Sequence, residues 1–273
     1  MDENVIGVAV AGSNVAAVIS AIERAEQLGV QAAWMTTGGA RLDSLTTFAA
    51  AAGRTKEIKL GTSIVPTFPR HPLVMAQQVQ VVAQLAPGRF RLGIGPSHRP
   101  NMRMMGIHMQ NPLGHLREYL RILKALLQQG KVDLDGAYYQ AHESIPEPVD
   151  VPVMASALRR GSFEVCGAEA DGAISWVCPG EYLKNVALPA MQLGAEKAGR
   201  DICPLITHAP VCMSTKWEDV VMSAKKNLAV YPTLPFYLQM FAAAGYENIT
   251  PGEWTEEMID AVEWYLDTKP ETT

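Results

Sequence analysis

A histidine at the end of a predicted strand is the residue of this chain best suited to chemistry. His98 lies in the polar loop Pro96-Ser97-His98-Arg99, which follows the apolar and glycine-rich run 90–95. That run predicts a buried strand, and in parallel α/β proteins the functional site lies at the carboxyl ends of the strands. Because histidine titrates near neutrality, His98 there can donate a proton or polarise an electron-accepting ring. A loop histidine bonded to the backbone is the alternative that spacing alone leaves open.

A second candidate is the segment Ser156-Ala157-Leu158-Arg159-Arg160-Gly161, which lies between a predicted strand and the helix after it. Free backbone N–H groups at a helix N-terminus bind phosphate, and Arg159 and Arg160 add positive charge. The segment therefore predicts an anion-binding loop, with two solvated arginines as the alternative.

Other polar positions carry weaker signals. The segment 61–66 ends a buried strand, where a small hydroxyl residue can form a bulge that meets a ligand, although an ordinary strand end fits equally well. Arg70 could bind an anion, with a solvated arginine as the alternative. His108, His115 and His142 have no readable partner pattern, so we expect them on the surface or in a hairpin.

The sequence lacks the patterns typical of hydrolysis and metal catalysis. It has no Ser-His-Asp order, no paired-carboxylate site and no metal triad, so we expect no metal and favour a cofactor that brings its own reactivity. Cys166, Cys178, Cys203 and Cys212 have neither CxxC spacing nor a histidine at a metal-ligand interval. We therefore expect buried, reduced thiols in a cytosolic protein.

The bulk composition indicates one large globular domain. The 273 residues are 48% hydrophobic with a net charge of −5, and the lysines and arginines are dispersed. This composition excludes disorder, a nucleic-acid-binding stripe and a polybasic membrane segment. The opening MDENVIGVAV lacks a charged region before its apolar run, and no apolar run reaches membrane-spanning length. We therefore expect no signal peptide and a cytoplasmic location.

Strand-like and helix-like segments alternate along the chain. Predicted strands cover residues 5–11, 31–35, 58–66, 89–95, 151–155, 173–177 and 205–213. Predicted helices cover residues 15–28, 43–55, 72–85, 112–129, 162–170, 181–199, 217–229, 234–244 and 255–266. Seven β/α alternations indicate parallel strands with helical crossovers, which usually close as a barrel. An open doubly wound sheet is the alternative, weakened because no G-x-G-x-x-G follows the first strand.

Two segments depart from this alternation. Residues 132–142 predict a small hairpin turning at Asp135-Gly136, within an insertion of about 131–150. The C-terminal segment, about 216–273, offers helices but no convincing eighth strand. We therefore predict a single domain over 1–273 whose eighth unit is incomplete.

Several stretches of the chain resemble the bacterial luciferase-like monooxygenase superfamily, most closely its branch of oxidoreductases that depend on the deazaflavin coenzyme F420. They are GTSIVPTFPRHPLVMAQQVQVV, GRFRLGIGPSHRP, HLREYLRILKALL, and PVMASAL followed by AEADGAISW. The similarity runs from about Val5 to Gly245. It implies an α/β fold of the (β/α)8 TIM-barrel type, with the cofactor at the C-terminal face of the barrel.

The resemblance also implies which residues contact the cofactor. A bulge with a non-prolyl cis peptide in the third strand, at Ser63–Ile64, would back the deazaflavin ring. Pro96, Ser97 and His98 would lie beside the ring, and residues 157–161 would form the phosphate loop. The implied cofactor-binding residues are Thr36, Thr37, Thr62, Ser63, Ile64, Pro96, Ser97, Ala157, Leu158, Arg159, Arg160, Gly161 and Trp176, and the implied catalytic residue is His98.

The chain departs from the family pattern in two parts of the implied site. Many relatives carry an acidic residue and a histidine after strand two, where this chain has Thr36 and Thr37. His98 is therefore left as the candidate acid or base. Arg159 and Arg160 stand where relatives have a glycine-rich phosphate loop.

Three functional hypotheses follow from the resemblance and its departures. The first is an F420-dependent oxidoreductase that moves a hydride between the deazaflavin and a small organic substrate. The second is an FMN-dependent luciferase-like monooxygenase. The third is a non-catalytic flavin- or deazaflavin-binding protein, because the strand-two acid and base and the last barrel unit are missing. For an enzyme we expect a small-molecule substrate and a homodimer, with neither nucleic acid nor membrane as partner.

Overall fold

A computed structural model describes residues 5–247, 249–262 and 264–265 of the chain. Contacts divide the chain into two compact units. The first contains residues 1–156 and 169–172, and the second contains residues 157–168 and 173–273. The prediction of one domain over 1–273 stays a prediction.

The first unit is built on a parallel sheet. In chain order its strands are β1 (Gly7–Ala9), β2 (Ala32–Met35), β3 (Lys59–Thr62), β4 (Val65–Pro66), β5 (Phe90–Gly95), β6 (Lys131–Asp135), β7 (Gln140–Ser144) and β8 (Val153–Ser156). Parallel pairs join β1 to β2, β2 to β3, both β3 and β4 to β5, and β5 to β8. The strands β6 and β7 form the predicted antiparallel hairpin. Because the sheet strands are parallel, their carboxyl ends meet at one edge.

The helices of the first unit begin and end where local chemistry favours it. They are α1 (Val15–Gln27), α2 (Ser44–Ala52), α3 (Pro72–Leu85), α4 (Arg99–Met104) and α5 (Pro112–Gln129). Asn14 caps α1 and Asp43 caps α2, each accepting a backbone N–H three residues later at 2.9 Å. Gly130 ends α5 in the left-handed conformation, with φ +81°. Both α3 and α5 have their predicted bounds.

The segment after β5 and the end of α1 differ from the sequence prediction. Arg99, placed in a loop, begins the six-residue helix α4, in which Pro100 occupies the first turn and Met102 is buried. The helix predicted over 15–28 ends at Gln27, and Leu28 is its C-cap and is 70% exposed.

Two glycines of the first unit make room for a tryptophan. A Cβ at Gly61 would lie 2.4 Å from ring carbons of Trp34, and a Cβ at Gly7 would lie 2.9 Å from its Nε1. Trp34 is buried. The indole of the second strand therefore covers the backbone of the strands on both sides.

The second unit combines short parallel strands with helices. Its strands are β9 (Gly172–Trp176), β10 (Leu205–His208), β11 (Val211–Cys212) and β12 (Trp264–Tyr265). Its helices are α6 (Arg160–Glu169), α7 (Gly180–Tyr182), a π-helical turn (Leu183–Ala187), α8 (Leu188–Ala198), α9 (Trp217–Asn227), a 3₁₀ turn (Tyr231–Thr233), α10 (Pro235–Ala243) and α11 (Glu256–Val262). Parallel pairing joins β9 to β10 and β11 to β12.

The C-terminal part differs from the sequence prediction. The strand predicted over 205–213 breaks at Ala209-Pro210, because proline has no N–H and restricts the residue before it. The helix predicted over 255–266 ends at Val262, and Trp264–Tyr265 belong to β12, whereas Leu266 lies outside the described residues. Within the part of the chain that the structure describes, no later strand extends the sheet beyond β10. This agrees with the expectation of an incomplete eighth unit.

Candidate active site

The third predicted strand is interrupted where the resemblance placed a bulge. The strand β3 ends at Thr62 and β4 resumes at Val65. The Ser63–Ile64 peptide bond between them is cis, as predicted. Ser63 and Ile64 are both half-buried, so the bulge lies at the carboxyl edge of the sheet with part of its surface accessible.

Residues that follow β2 hold this bulge in place. The Thr36 hydroxyl donates to the Ser63 carbonyl at 2.5 Å, and the Thr37 N–H donates to the Ile64 carbonyl at 3.1 Å. The Thr37 hydroxyl lies 2.6 Å from the Ser44 hydroxyl. Thr36 and Thr37, which belong to the implied set of cofactor-binding residues, thus adjoin the bulge. Their hydroxyls have hydrogen-bond partners within the protein. Their contact with a cofactor stays a prediction.

Thr62 joins β3 to β5 through its side chain. Its hydroxyl donates to the Gly93 carbonyl at 2.8 Å and accepts from the Gly93 N–H at 2.7 Å. Backbone pairing between β3 and β5 stops at Gly61. The buried hydroxyl therefore satisfies both polar groups of Gly93 at the point where the bulge turns away.

Three neighbouring strand ends meet around Gly95. A Cβ at Gly95 would lie 2.1 Å from the Ser156 hydroxyl oxygen and 3.3 Å from Cγ1 of Ile64. The missing side chain of Gly95 thus leaves space that the Ser156 hydroxyl occupies. The sequence could not reveal this contact, because it depends on which residues of β5 and β8 lie side by side.

His98 follows β5 and occupies the N-cap position of α4. It comes after the half-buried Pro96 and after Ser97, whose φ of +60° is left-handed. Burial lowers the pKa of the His98 imidazole below its ordinary value. The ring is therefore mostly neutral at pH 7, a form in which one nitrogen carries a proton and the other a lone pair.

The hydroxyls around the bulge fall into two groups. Those of Thr36 and Thr62 are hydrogen-bonded to the backbone. Those of Ser63, Ser97 and Ser156 make no hydrogen bond to any residue that the structure describes. This edge of the first unit therefore presents uncharged donors and acceptors beside the apolar Ile64 side chain, which suits the polar rim and flat face of a heterocyclic ring.

The predicted phosphate loop lies in the second unit and begins α6. The N–H groups of Leu158 and Arg159 donate to the Ser162 hydroxyl at 3.0 and 3.1 Å. The N–H groups of Arg160 and Gly161, both exposed, have no acceptor among the described residues. The first turn of α6 therefore keeps two backbone donors for an anion, and Ala157 is buried beneath them.

Arg159 contacts α10 of the same unit. Its guanidinium carbon lies 4.8 Å from the centroid of the Phe236 ring, and its Nη1 bonds to the Gln239 side-chain carbonyl. Neither alternative considered from the sequence, phosphate binding or full solvation, included this contact. No pattern in the sequence indicates this contact, because Gln239 is 80 residues away.

Trp176 ends β9 in an aromatic environment. Its ring lies 6.0 Å, between centroids, from that of Tyr231. The next residue, Val177, has φ +53°, a conformation that β-branched residues rarely adopt and that is concentrated at functional sites. His208, paired in register with Trp176, was missed from the sequence, and burial lowers its pKa to about 4.

The surface prediction for His115 was wrong. Its ring stacks on Phe68 with centroids 3.8 Å apart, and its Nε2 lies 2.5 Å from the Tyr139 hydroxyl. Burial lowers its pKa to about 4, against the opposing charge of Glu118. The signal was present in the spacing, since His115, Tyr119 and Ile122 form one helical row, and all three are buried.

The remaining polar candidates have structural partners. Arg70 forms an ion pair with Asp43 at 2.9 Å through Nη2, and its buried Nη1 has no hydrogen-bond partner among the described residues, so anion binding by Arg70 stays a prediction. His142 lies in the hairpin, as expected, with Nδ1 2.6 Å from Asp133. In the described ranges no group of three or more histidine, cysteine or acidic residues has the arrangement of a metal site. No helix in those ranges is both long and apolar enough to cross a membrane.

Comparisons with known proteins agree with this architecture. A solved F420-dependent tetrahydromethanopterin reductase from Methanopyrus kandleri covers 94% of this chain, which spans 84% of that one, with a TM-score of 0.73 and 20% identity. An F420-dependent secondary alcohol dehydrogenase, solved with an F420-acetone adduct, covers 95% of this chain, which spans 84% of that one, with a TM-score of 0.77 and 18% identity. These likenesses identify the fold as the α/β barrel type.

Sequence comparison identifies the family. The F420-dependent glucose-6-phosphate dehydrogenase of Beutenbergia cavernae is 33% identical over 242 residues, which are 81% of this chain and 71% of that protein. The family model described as luciferase-like monooxygenase matches residues 4–264. The chain therefore belongs to the luciferase-like monooxygenase family and is an oxidoreductase.

Proposed function

We propose that this protein is an oxidoreductase that transfers a hydride between coenzyme F420 and a small organic substrate. One observation carries the proposal: the bulge at 63–64 is fixed by hydrogen bonds from Thr36 and Thr37 and presents Ile64 beside uncommitted serine hydroxyls. A rigid apolar support with a neutral polar rim fits a flat tricyclic ring. The three similar proteins described above are F420-dependent by name, which supports F420, whereas the FMN alternative is supported by a similar solved monooxygenase in complex with FMN.

Bound F420 supplies the hydride donor or acceptor, and the chain supplies position and proton transfer. Ile64 supports the ring from one side. His98, neutral at pH 7, takes the proton that leaves a substrate hydroxyl during oxidation and returns it during reduction. The open N–H groups of Arg160 and Gly161 bind the cofactor phosphate, assisted by the charge of Arg159.

We further infer a homodimer in a reducing cytoplasm. The four cysteines are free thiols, which supports that compartment.

The helix α3 contains no charged residue, and Val74, Val81 and Leu85 on it are 44%, 51% and 48% exposed. Such an apolar row suits contact with a second copy. In sedimentation analysis, Val81→Glu should give monomers and the control Val230→Glu, on another exposed valine, should not; a dimeric Val81→Glu contradicts this interface.

Titration with F420 and FMN tests the function. Purified protein should quench F420 fluorescence in a saturable manner and bind FMN more weakly. With bound F420, it should then turn over members of a panel of small alcohols, aldehydes and ketones. Binding of FMN with oxygen consumption would instead identify the monooxygenase alternative. Tight F420 binding without turnover would identify a carrier, and binding of neither cofactor would refute the proposal.

A further inference from the structure

We propose that Ser156 is a cofactor-binding residue whose hydroxyl hydrogen-bonds the polar edge of the deazaflavin ring, and that Gly95 must be glycine to permit this. The proposal rests on the proposed function. It adds a residue that lies outside the set implied by the family resemblance, at the end of the strand before the phosphate loop.

The packing around Gly95 fixes where the hydroxyl lies. A Cβ on Gly95 would come within 2.1 Å of the Ser156 oxygen and 3.1 Å of the Ser156 Cβ. The same point lies 3.3 Å from Cγ1 of Ile64. The Ser156 hydroxyl and the side chain that supports the ring therefore both lie within 3.3 Å of one vacant Cβ position, close enough for a single ring to contact both.

The hydroxyl is available to a ligand because the protein does not use it. Ser156 is half-buried at the carboxyl end of β8 and makes no hydrogen bond to the described residues. The neighbouring hydroxyls of Thr36 and Thr62 do have backbone acceptors. A half-buried hydroxyl beside an apolar side chain gains most from a partner that also excludes water.

The chemistry of a serine hydroxyl matches the edge of a deazaflavin. The hydroxyl can donate to a ring carbonyl or accept from a ring N–H, and it carries no charge in either case. A substrate hydroxyl or carbonyl could use the same group, and cofactor affinity measured without substrate separates the two partners.

One variant and a matched control test the assignment, with F420 as the probe. In fluorescence titrations without substrate, Ser156→Ala should raise the Kd for F420 by about three- to tenfold, the loss expected for one neutral hydrogen bond. Its thermal midpoint should stay that of the wild type, because no bond within the protein is lost. Ser144→Ala, an exposed serine of the hairpin strand β7, is the matched control and should change neither quantity.

The space at Gly95 provides an independent check. Gly95→Ala should weaken F420 binding more than Ser156→Ala, because the new methyl needs the space of the hydroxyl. The double variant Gly95→Ala/Ser156→Gly removes this clash and should fold, yet bind F420 no better than Ser156→Ala.

The outcomes separate this inference from the proposed function. If the wild type binds F420 and Ser156→Ala binds it equally well, the Ser156 assignment fails and the proposed function stands. The Ser156 assignment also fails, and the proposed function stands, if Ser156→Ala changes only the KM for substrate or if the double variant recovers wild-type affinity for F420. Failure of the wild type to bind F420 overturns both.

Discussion

Replacing Thr62 with valine should destabilise the first unit, because one hydroxyl satisfies two buried backbone groups. Thr62 is fully buried, and its oxygen lies 2.8 Å from the Gly93 carbonyl oxygen and 2.7 Å from the Gly93 nitrogen. Valine has nearly the shape of threonine, so the substitution creates no cavity. It leaves the Gly93 N–H without a partner away from water, and the Gly93 C=O keeps only the Val65 N–H that the pairing of β4 with β5 gives it.

The size of the effect follows from these two groups. The unsatisfied buried N–H costs about 1–3 kcal/mol, the hydrogen bond that the C=O loses costs about 0.5–1.5 kcal/mol, and the extra apolar group of valine returns about 1 kcal/mol. We therefore expect the free energy of unfolding to fall by about 2 kcal/mol. For a protein of this size that corresponds to a drop of roughly 4 °C in the thermal midpoint.

Thermal unfolding and hydrogen exchange together test this reasoning. Thr62→Ser keeps the hydroxyl and loses one methyl, so it should cost only about 1 kcal/mol. The Gly93 amide should exchange slowly in the wild type and in Thr62→Ser, and faster in Thr62→Val. A valine variant within 0.5 kcal/mol of the wild type (about the additivity error of such comparisons), or one more stable than the serine variant, would refute the argument.

Three further predictions concern the site and its surroundings. His98→Ala should slow hydride transfer in stopped-flow measurements far more than it weakens F420 binding; equal losses in both contradict a role in proton transfer. Arg159→Ala should weaken F420 binding with a clear change in salt dependence, unlike the exposed control Arg54→Ala, and a salt-independent loss argues against phosphate contact. Burial lowers the pKa of His115 to about 4, so below pH 6.5 the unfolded chain binds a proton that the folded chain excludes. The free energy of unfolding therefore decreases as the pH is lowered. At pH 5 His115→Phe should remove about 2 kcal/mol of that loss. If the thermal midpoints of the variant and the wild type depend on pH in the same way, the prediction is contradicted.

Local chemistry determined the elements that the sequence predicted best. The bounds of α3 and α5 were predicted correctly because each begins with a proline at its first position, and α5 ends at Gly130. The predictions failed where one signal was overlooked or long-range contacts decided the outcome. Pro210 divides a strand that apolar content alone would continue, and residues 264–265 form a strand only through pairing with β11.

The site was less predictable than the fold. The bulge at 63–64 came from family resemblance, since no residue pattern at those positions requires it. The partners of Thr36 and Thr62 depend on which strands lie side by side, and a single sequence does not specify that register. The contact between Gly95 and Ser156 also depends on the register of neighbouring strands. His115 was misjudged because it was considered as a titratable group rather than as part of a buried helical row.

The indole that covers two glycines also constrains how this chain can change over evolutionary time. Any side chain at Gly61 meets Trp34 at 2.4 Å, and any at Gly7 meets it at 2.9 Å. Mutations at either glycine are therefore selected against for as long as the tryptophan persists. Once a lineage replaces Trp34 with a smaller residue, Gly61 is free to drift, and a later return to tryptophan is blocked. Gly7 stays constrained, because the backbone oxygen of Ala32 lies 2.8 Å from its Cβ position. The order of substitutions at Trp34 and Gly61 should thus run in one direction among descendants of this sequence.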